Sequence, residues 1–280
     1  MTNERLRFAS AASVSLEVFA EAFTAGFSGY EVPLEVDGPQ LARRIRTDQY
    51  DLLHSLVAYD GDERVGMVAV AIRGEAGWCG GLGVVPERRG RGIGRLLMEE
   101  LLSRARAAGV RRLTLEVLAK NTPARRLYEG MGMRVTRELL VLERAEGRGA
   151  APRAREGVAL EEAEKAELLS HFARLHGVAP AWQRDLPSLL IGVARGLRLG
   201  PRESPRAYAL YSEGRDGKKY LQDLAASDAA AARELSSGLA RVEGNVRIIN
   251  EPAESLFVAP LLENGFVETH RQSEMAIELS

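Results

Sequence analysis

Cysteine is almost missing from these 280 residues: Cys79 stands alone, which excludes an internal disulfide and suits a reducing compartment. Histidine is scarce as well, and His54, His171, His176 and His270 have no metal-ligand spacing and no His-Glu-x-x-His pair, so no metal is expected. There is no Gly-x-Ser-x-Gly elbow for a serine nucleophile. No apolar run approaches the ~20 residues of a membrane helix, and the opening Met1-Thr-Asn-Glu-Arg lacks the apolar core of a signal peptide. A cytoplasmic protein without a membrane partner is the expectation. The net charge of -1 leaves no general basic surface for nucleic acid. What is present is a globular composition, 45% hydrophobic and 28% charged, in a length suited to two domains.

Glycine and arginine are concentrated in one stretch, Gly-Leu-Gly-Val-Val-Pro-Glu-Arg-Arg-Gly-Arg-Gly-Ile-Gly-Arg from Gly81 to Arg95. It reads as a short apolar strand, a proline stop and a turn that opens into the amphipathic run Leu96 to Ala108. The first NH groups of a helix have no intrahelical partner. Gly90, Gly92 and Gly94 let the main chain turn with positive φ and come close to an anion, and Arg88, Arg89, Arg91 and Arg95 surround it with positive charge. The spacing is neither a dinucleotide fingerprint nor a P-loop, because no Gly-Lys-Ser/Thr follows. The stretch predicts a socket for a diphosphate.

Arg89-Gly90-Arg91-Gly92-Ile93-Gly94 resembles the Gln/Arg-x-x-Gly-x-Gly/Ala signature of the GCN5-related N-acetyltransferases. Leu113-Thr-Leu-Glu116-Val is similar to that family's next strand, and Asn121-Thr-Pro-Ala-Arg-Arg-Leu-Tyr128-Glu-Gly-Met-Gly132-Met133 to its Asn-x-x-Ala-x-x-Leu-Tyr-x-x-x-Gly-Phe run. The resemblance implies an α/β mixed-sheet acetyltransferase (GNAT) fold with acetyl-CoA as co-substrate. Its pyrophosphate would lie on Arg89, Gly90, Arg91, Gly92, Ile93, Gly94 and Arg95, and its pantetheine arm beside Leu82, Gly83, Val84 and Asn121. An NH near Val84 would polarise the acyl carbonyl where two central strands part.

The same resemblance makes Tyr128 the acid that protonates the departing thiolate, a role a phenol of reference pKa near ~10 can fill. The residues alone equally allow a buried tyrosine on an amphipathic helix. Glu116 alternates out of the face formed by Leu113, Leu115 and Val117 and is the best base candidate, acting through water, or else a strand glutamate in an ion pair. Glu21, Glu31 and Glu35 are further base candidates. Phe23, Phe27, Tyr30 and Val32 fall where the acceptor would enter. Cys79 next to Trp78 reads as core.

Leu6 to Ala9, Leu56 to Tyr59, Val65 to Arg73, Trp78 to Val85, 112 to 118 and 133 to 143 read as strands, and Leu16 to Phe27, the run after Pro39, 90 to 108 and 122 to 131 as helices. The expected domains are 1–145, catalytic, a glycine- and charge-rich linker over 146–156, and 157–280, a degenerate second copy of the same fold. Helices are expected over Glu161 to Leu175 and part of Trp182 to Leu197, with strands at Pro205 to Ser212, Tyr220 to Ala226, Val246 to Ile249 and Phe266 to Ile277. A shift of 133 places Gly132-Met133 on Gly265-Phe266, Leu115 on Ile248 and Leu142 on Met275, a repeat at domain scale. Opposite the glycine turn stands Ala225-Ala-Ser-Asp228, whose carboxylate would cap the helix and repel phosphate. The expected function is direct acetyl transfer to an amine of a small molecule, by a monomer built as a pseudo-dimer or by a homodimer. The alternatives are an acetyltransferase of protein or peptide N-termini, and a non-enzymatic acyl-CoA-binding module.

Overall fold

The computed structural model describes residues 6–31, 34–146, 159–214 and 216–279; Val32 and most of the expected linker, 147–156, lie outside them. The chain forms two compact units, Met1–Thr136 with Glu274–Ser280, and Arg137–Ser273. The units therefore do not follow linear order, because the last residues of the sequence belong to the first unit.

Unit 1 runs β1 (Leu6–Ser10), α1 (Leu16–Gly26), α2 (Gly38–Thr47), β2 (Leu56–Asp60), β3 (Glu63–Arg73), β4 (Ala76–Val84), α3 (Ile93–Ala107), β5 (Arg112–Leu118), α4 (Thr122–Glu129) and the start of β6 (Arg134–Arg144). Its strands lie in the order β1-β2-β3-β4-β5, antiparallel except for the parallel pair β4 and β5. Glu274 onward completes it: Leu279 N–H donates to the Arg111 carbonyl at 2.7 Å, Thr136 holds Glu274, and Met275 and Leu279 enter the core with Leu97, Met98, Leu101, Leu113 and Leu115. The apolar face of α3 covers this side of the sheet. Ser15 caps α1, and Asp37 with Gln40 forms a reciprocal capping box on α2, which satisfies NH groups the helices cannot.

Unit 2 begins with the remainder of β6, followed by β7 (Glu161–Ala163), α5 (Lys165–Leu169), α6 (Phe172–Leu175), α7 (Leu186–Ile191), β8 (Arg195–Leu199), β9 (Ala207–Glu213), β10 (Lys219–Ala226), α8 (Ala229–Leu239), β11 (Val246–Pro252), α9 (Val258–Glu263) and β12 (Val267–Glu278) up to Ser273. The strand order is β12-β6-β11-β10-β9-β8-β7. Two helices expected from periodicity are shorter than predicted. Glu161–Ala163 and Arg195–Leu199 instead pair antiparallel with each other, because an edge strand takes its conformation from its neighbour's ladder as much as from its own pattern. Both units are thus mixed α/β layers, each with a helical crossover between a parallel pair of strands, α3 between β4 and β5 and α8 between β10 and β11.

Candidate active site

The turn before α3 is shaped by proline and glycine. Pro86–Arg88 makes one tight turn, then Gly90 and Gly92 take φ of 75° and 83°. A Cβ at either would meet nothing within 4 Å, so their conformation and not crowding requires glycine. Gly92 is the N-cap of α3, yet no side chain caps the helix and its first turn carries no acid. The NH groups of that turn, at the positive end of the helix dipole, receive no side-chain cap.

Beside the turn, β4 parts from β5. Their parallel pairing runs from Ala76↔Arg112 to Cys79↔Leu115 and stops, whereas β4 continues to Val84 along β3. Gly80 is left out of the ladder with β3, a bulge between Cys79 and Gly81, and bulges bend a strand away from its neighbour. A Cβ on Gly83 would stand 2.8 Å from the backbone of Gly26, so the end of α1 sits directly on the parted strand. The turn, the parted end of β4 and the start of α4 open into one cleft of about 590 Å³, whose walls include Leu82, Gly83, Val84, Arg89, Gly90, Gly92, Ile93, Gly94, Arg95 and Asn121.

The arginines do different things. Arg89 turns inward: Nε donates to the Val84 carbonyl at 2.9 Å and Nη2 to the carbonyls of Gly26 and Ser28 at 3.1 and 2.6 Å, tying α1, β4 and the turn together. Arg88 pairs with Asp60 and Glu63, and Arg95 with Glu99 at 2.8 Å. Arg91 lines a separate groove beside α1 and the β2–β3 hairpin. Asn121 caps α4, its side chain accepting from Ala124 N–H at 3.2 Å.

Tyr128 and Glu116 occupy opposite faces of the sheet. Tyr128, on α4, is 7% exposed and lies in the core formed under α3, with Cys79 in the same cluster. Burial pushes its phenol well above the ordinary value, and Cys79 and Tyr30 add to the effect. Burial likewise pushes the Cys79 thiol up to about 12. On the other face Trp78 Nε1–H donates to Glu116 Oε2 at 2.7 Å, and the Trp78 ring stacks on Tyr50 at 5.8 Å. Tyr50 in turn donates to the Gly80 carbonyl at 3.3 Å, and burial raises its phenol too. Neither the Trp78–Glu116 bond nor the Tyr50 stack has a local sequence signal, since their partners are 38 and 28 residues apart. Of the other carboxylates, Glu21 pairs with Arg64 at 2.8 Å, Glu31 lines the cleft and meets Lys120 at 3.4 Å, and Glu35 is exposed. Phe27 and Tyr30 meet edge to face at 5.5 Å, and both line the cleft. Among the described residues there is no cluster able to hold a metal ion, and no helix is long and apolar enough to cross a membrane.

Residues 17–133 match the family described as Acetyltransferase (GNAT) family. The whole chain is similar in fold to a GCN5-related N-acetyltransferase from Sphaerobacter thermophilus, with a TM-score of 0.72, 15% identity, and coverage of 100% of this chain and 97% of that one. It is similar to a tandem GNAT protein from the clavulanic acid biosynthesis pathway, at 0.68 and 14%, covering 98% and 99%. A GCN5-related N-acetyltransferase from Anabaena variabilis aligns at 0.64 and 14%, covering 99% and 73%. No curated protein matches the chain.

Proposed function

Because residues 17–133 match the Acetyltransferase (GNAT) family, we propose that the chain moves an acetyl group from acetyl-CoA directly to the amine of a small molecule. One observation carries the reading: an uncapped glycine turn and a parted β4 open into the same cleft. The cleft fits a diphosphate-bearing thioester, with phosphate on the NH groups from Gly90 to Gly94 and the thioester arm along Leu82, Gly83 and Val84. Acetyl-CoA supplies an activated acyl group, and the protein supplies position and proton transfers.

Holding the amine against the acyl carbon removes most of the entropic cost of their meeting. Glu116, its carboxylate oriented by the Trp78 indole, takes a proton from the acceptor ammonium through water, and the neutral amine so formed attacks the acyl carbon and displaces the CoA thiolate. Tyr128 returns a proton to the departing thiolate. Burial raises its phenol, so the hydroxyl stays protonated until a thiolate is released beside it. Arg89 serves the cofactor by fixing the turn from behind, and Asn121 by starting α4. Phe27, Tyr30 and Glu31 line the same cleft and offer an amine acceptor aromatic and acidic contacts.

Thiol release from acetyl-CoA across a panel of small amines tests this. Wild type should turn over with at least one amine, and Tyr128→Phe should lower kcat about a hundredfold with the KM for acetyl-CoA little changed. Tight acetyl-CoA binding without turnover on any amine would replace the enzyme with a sensor, and turnover only on peptide N-termini would replace the acceptor class.

A further inference from the structure

In unit 2 the parallel pairing of β10 with β11 also stops early, running only from Lys219↔Val246 to Leu221↔Ile248. Beyond it Gln222 drops out of the ladder with β9, and Asn250 takes a left-handed φ of 59° where the register of β11 with β6 shifts. Facing edges of two strands that part lose their ladder partners, and buried carbonyls without partners are costly. Unit 1 leaves the equivalent parting open. Unit 2 fills it with a side chain of its own.

Arg184 follows from a short turn, Trp182–Arg184, and is 5% exposed. Its Nε donates to the Gln222 carbonyl on β10 at 3.2 Å, and its Nη1 to the Asn250 carbonyl on β11 at 3.1 Å and to the Glu251 carboxylate. Asp223 Oδ1 stands 3.9 Å from Nη2. Asp223 also accepts from the Tyr208 hydroxyl at 2.7 Å and faces His176 Nε2 at 3.1 Å. Asp223 and Glu251 are 0% and 2% exposed. The space left over, about 50 Å³ beside Leu224, Pro252 and Phe257, admits water but no thioester arm. An isolated buried ion pair is a weak source of stability, so its geometry says more than its charge: one planar fork satisfies a carbonyl on each parted strand and the Glu251 carboxylate of β11.

We propose that the wedge between β10 and β11 is a guanidinium-binding site with Arg184 as its permanent occupant. Unit 2 keeps the strand parting of an acyl-thioester cleft and is closed to one, so the chain takes up a single acetyl-CoA. The guanidinium site stands on unit 2 alone; the stoichiometry rests on the function proposed above.

Arg184→Ala should lower the unfolding midpoint of unit 2 by about 10 °C and speed hydrogen exchange in β10 and β11. Guanidinium ion at low millimolar concentration, against equal potassium chloride, should restore much of that loss in Arg184→Ala and none in wild type. Arg184→Lys, whose ammonium lacks the fork, should fall short of wild type and serves if the alanine variant does not fold. An Arg184→Met or Arg184→Lys protein as stable as wild type, or an alanine variant indifferent to guanidinium, overturns the site. Calorimetric titration with acetyl-CoA should give one site per chain. A second site of comparable affinity overturns the closure, whereas no binding at all removes the proposed function and leaves the guanidinium site to stand or fall on the rescue.

Discussion

The starts of α3 and α8 occupy corresponding places in the two units and have been given opposite chemistry. Before α3 the N-cap is Gly92 in a left-handed conformation, with no side chain on the helix end. Before α8 it is Asp228 in extended backbone, and its carboxylate accepts from Ala231 N–H at 2.8 Å. That bond to the helix end holds the Asp228 carboxyl below its usual range, with Ser227 assisting. One helix end has no side-chain cap, while the other carries a carboxylate of its own. The same contrast recurs in the wedges, open beside β4 and filled by Arg184 beside β10. A fold of this kind is therefore separable from its site, which a few residues at one turn and one strand parting make or remove.

The largest test of the contrast asks whether unit 1 stands without the end of the chain. Ending the protein after Ser273 removes Met275 and Leu279 from the core under α3, each about 2–5 kcal/mol if merely truncated to alanine, together with a strand edge beside β5. Circular dichroism and acetyl-CoA binding should report loss of unit 1. A truncated protein that still binds acetyl-CoA would mean that the exchange of terminal residues is incidental.

A smaller change would carry unit 2's chemistry into unit 1. Gly92→Asp should place a carboxylate where Asp228 stands and weaken acetyl-CoA binding about a hundredfold, or ~2.7 kcal/mol, by repelling phosphate and occupying its donors. Gly92→Asn imposes the same backbone strain without charge and should lose far less in the same titration. Equal losses would assign the effect to φ alone and leave the vacancy of the helix end without meaning.

The smallest effect belongs to unit 2 and depends on pH. Burial works against a charge on His176, but the Asp223 carboxylate and the Phe172 carbonyl outweigh it, and the group titrates above its ordinary 6.5. Both ring nitrogens face acceptors, at 3.1 and 3.0 Å. A folded value above the unfolded one means that this stabilisation is complete below 6.5 and is lost as pH rises through the raised value. Urea midpoints of wild type and His176→Gln over that range should converge on the alkaline side. Parallel curves would show that the histidine is not ionised in the folded unit.

Much of this was legible in the sequence because its signals are local. A helix opened by Gly90 and Gly92 can be read from residues that permit positive φ, and α3, β5 and α4 follow from apolar period and the Asn121 cap. The shift of 133 carries β6, Arg134–Arg144, onto β12, Val267–Glu278, so the repeat was visible. Legibility failed where conformation or role is conferred by a distant partner. The strands Glu161–Ala163 and Arg195–Leu199 exist through each other. Trp78 becomes an orienting donor only when Glu116 arrives beside it, and Arg89, read as a phosphate ligand, spends its hydrogen bonds on three backbone carbonyls. Arg184 carries no pattern at all, since a lone arginine announces neither burial nor the strands it will bridge.

The assignment of Glu274–Ser280 to unit 1 has a consequence for any cut in the chain. Leu279 N–H reaches the Arg111 carbonyl and Met275 sits among the side chains under α3, so a single break of the backbone anywhere from Arg137 to Ser273 severs unit 1 as well as unit 2.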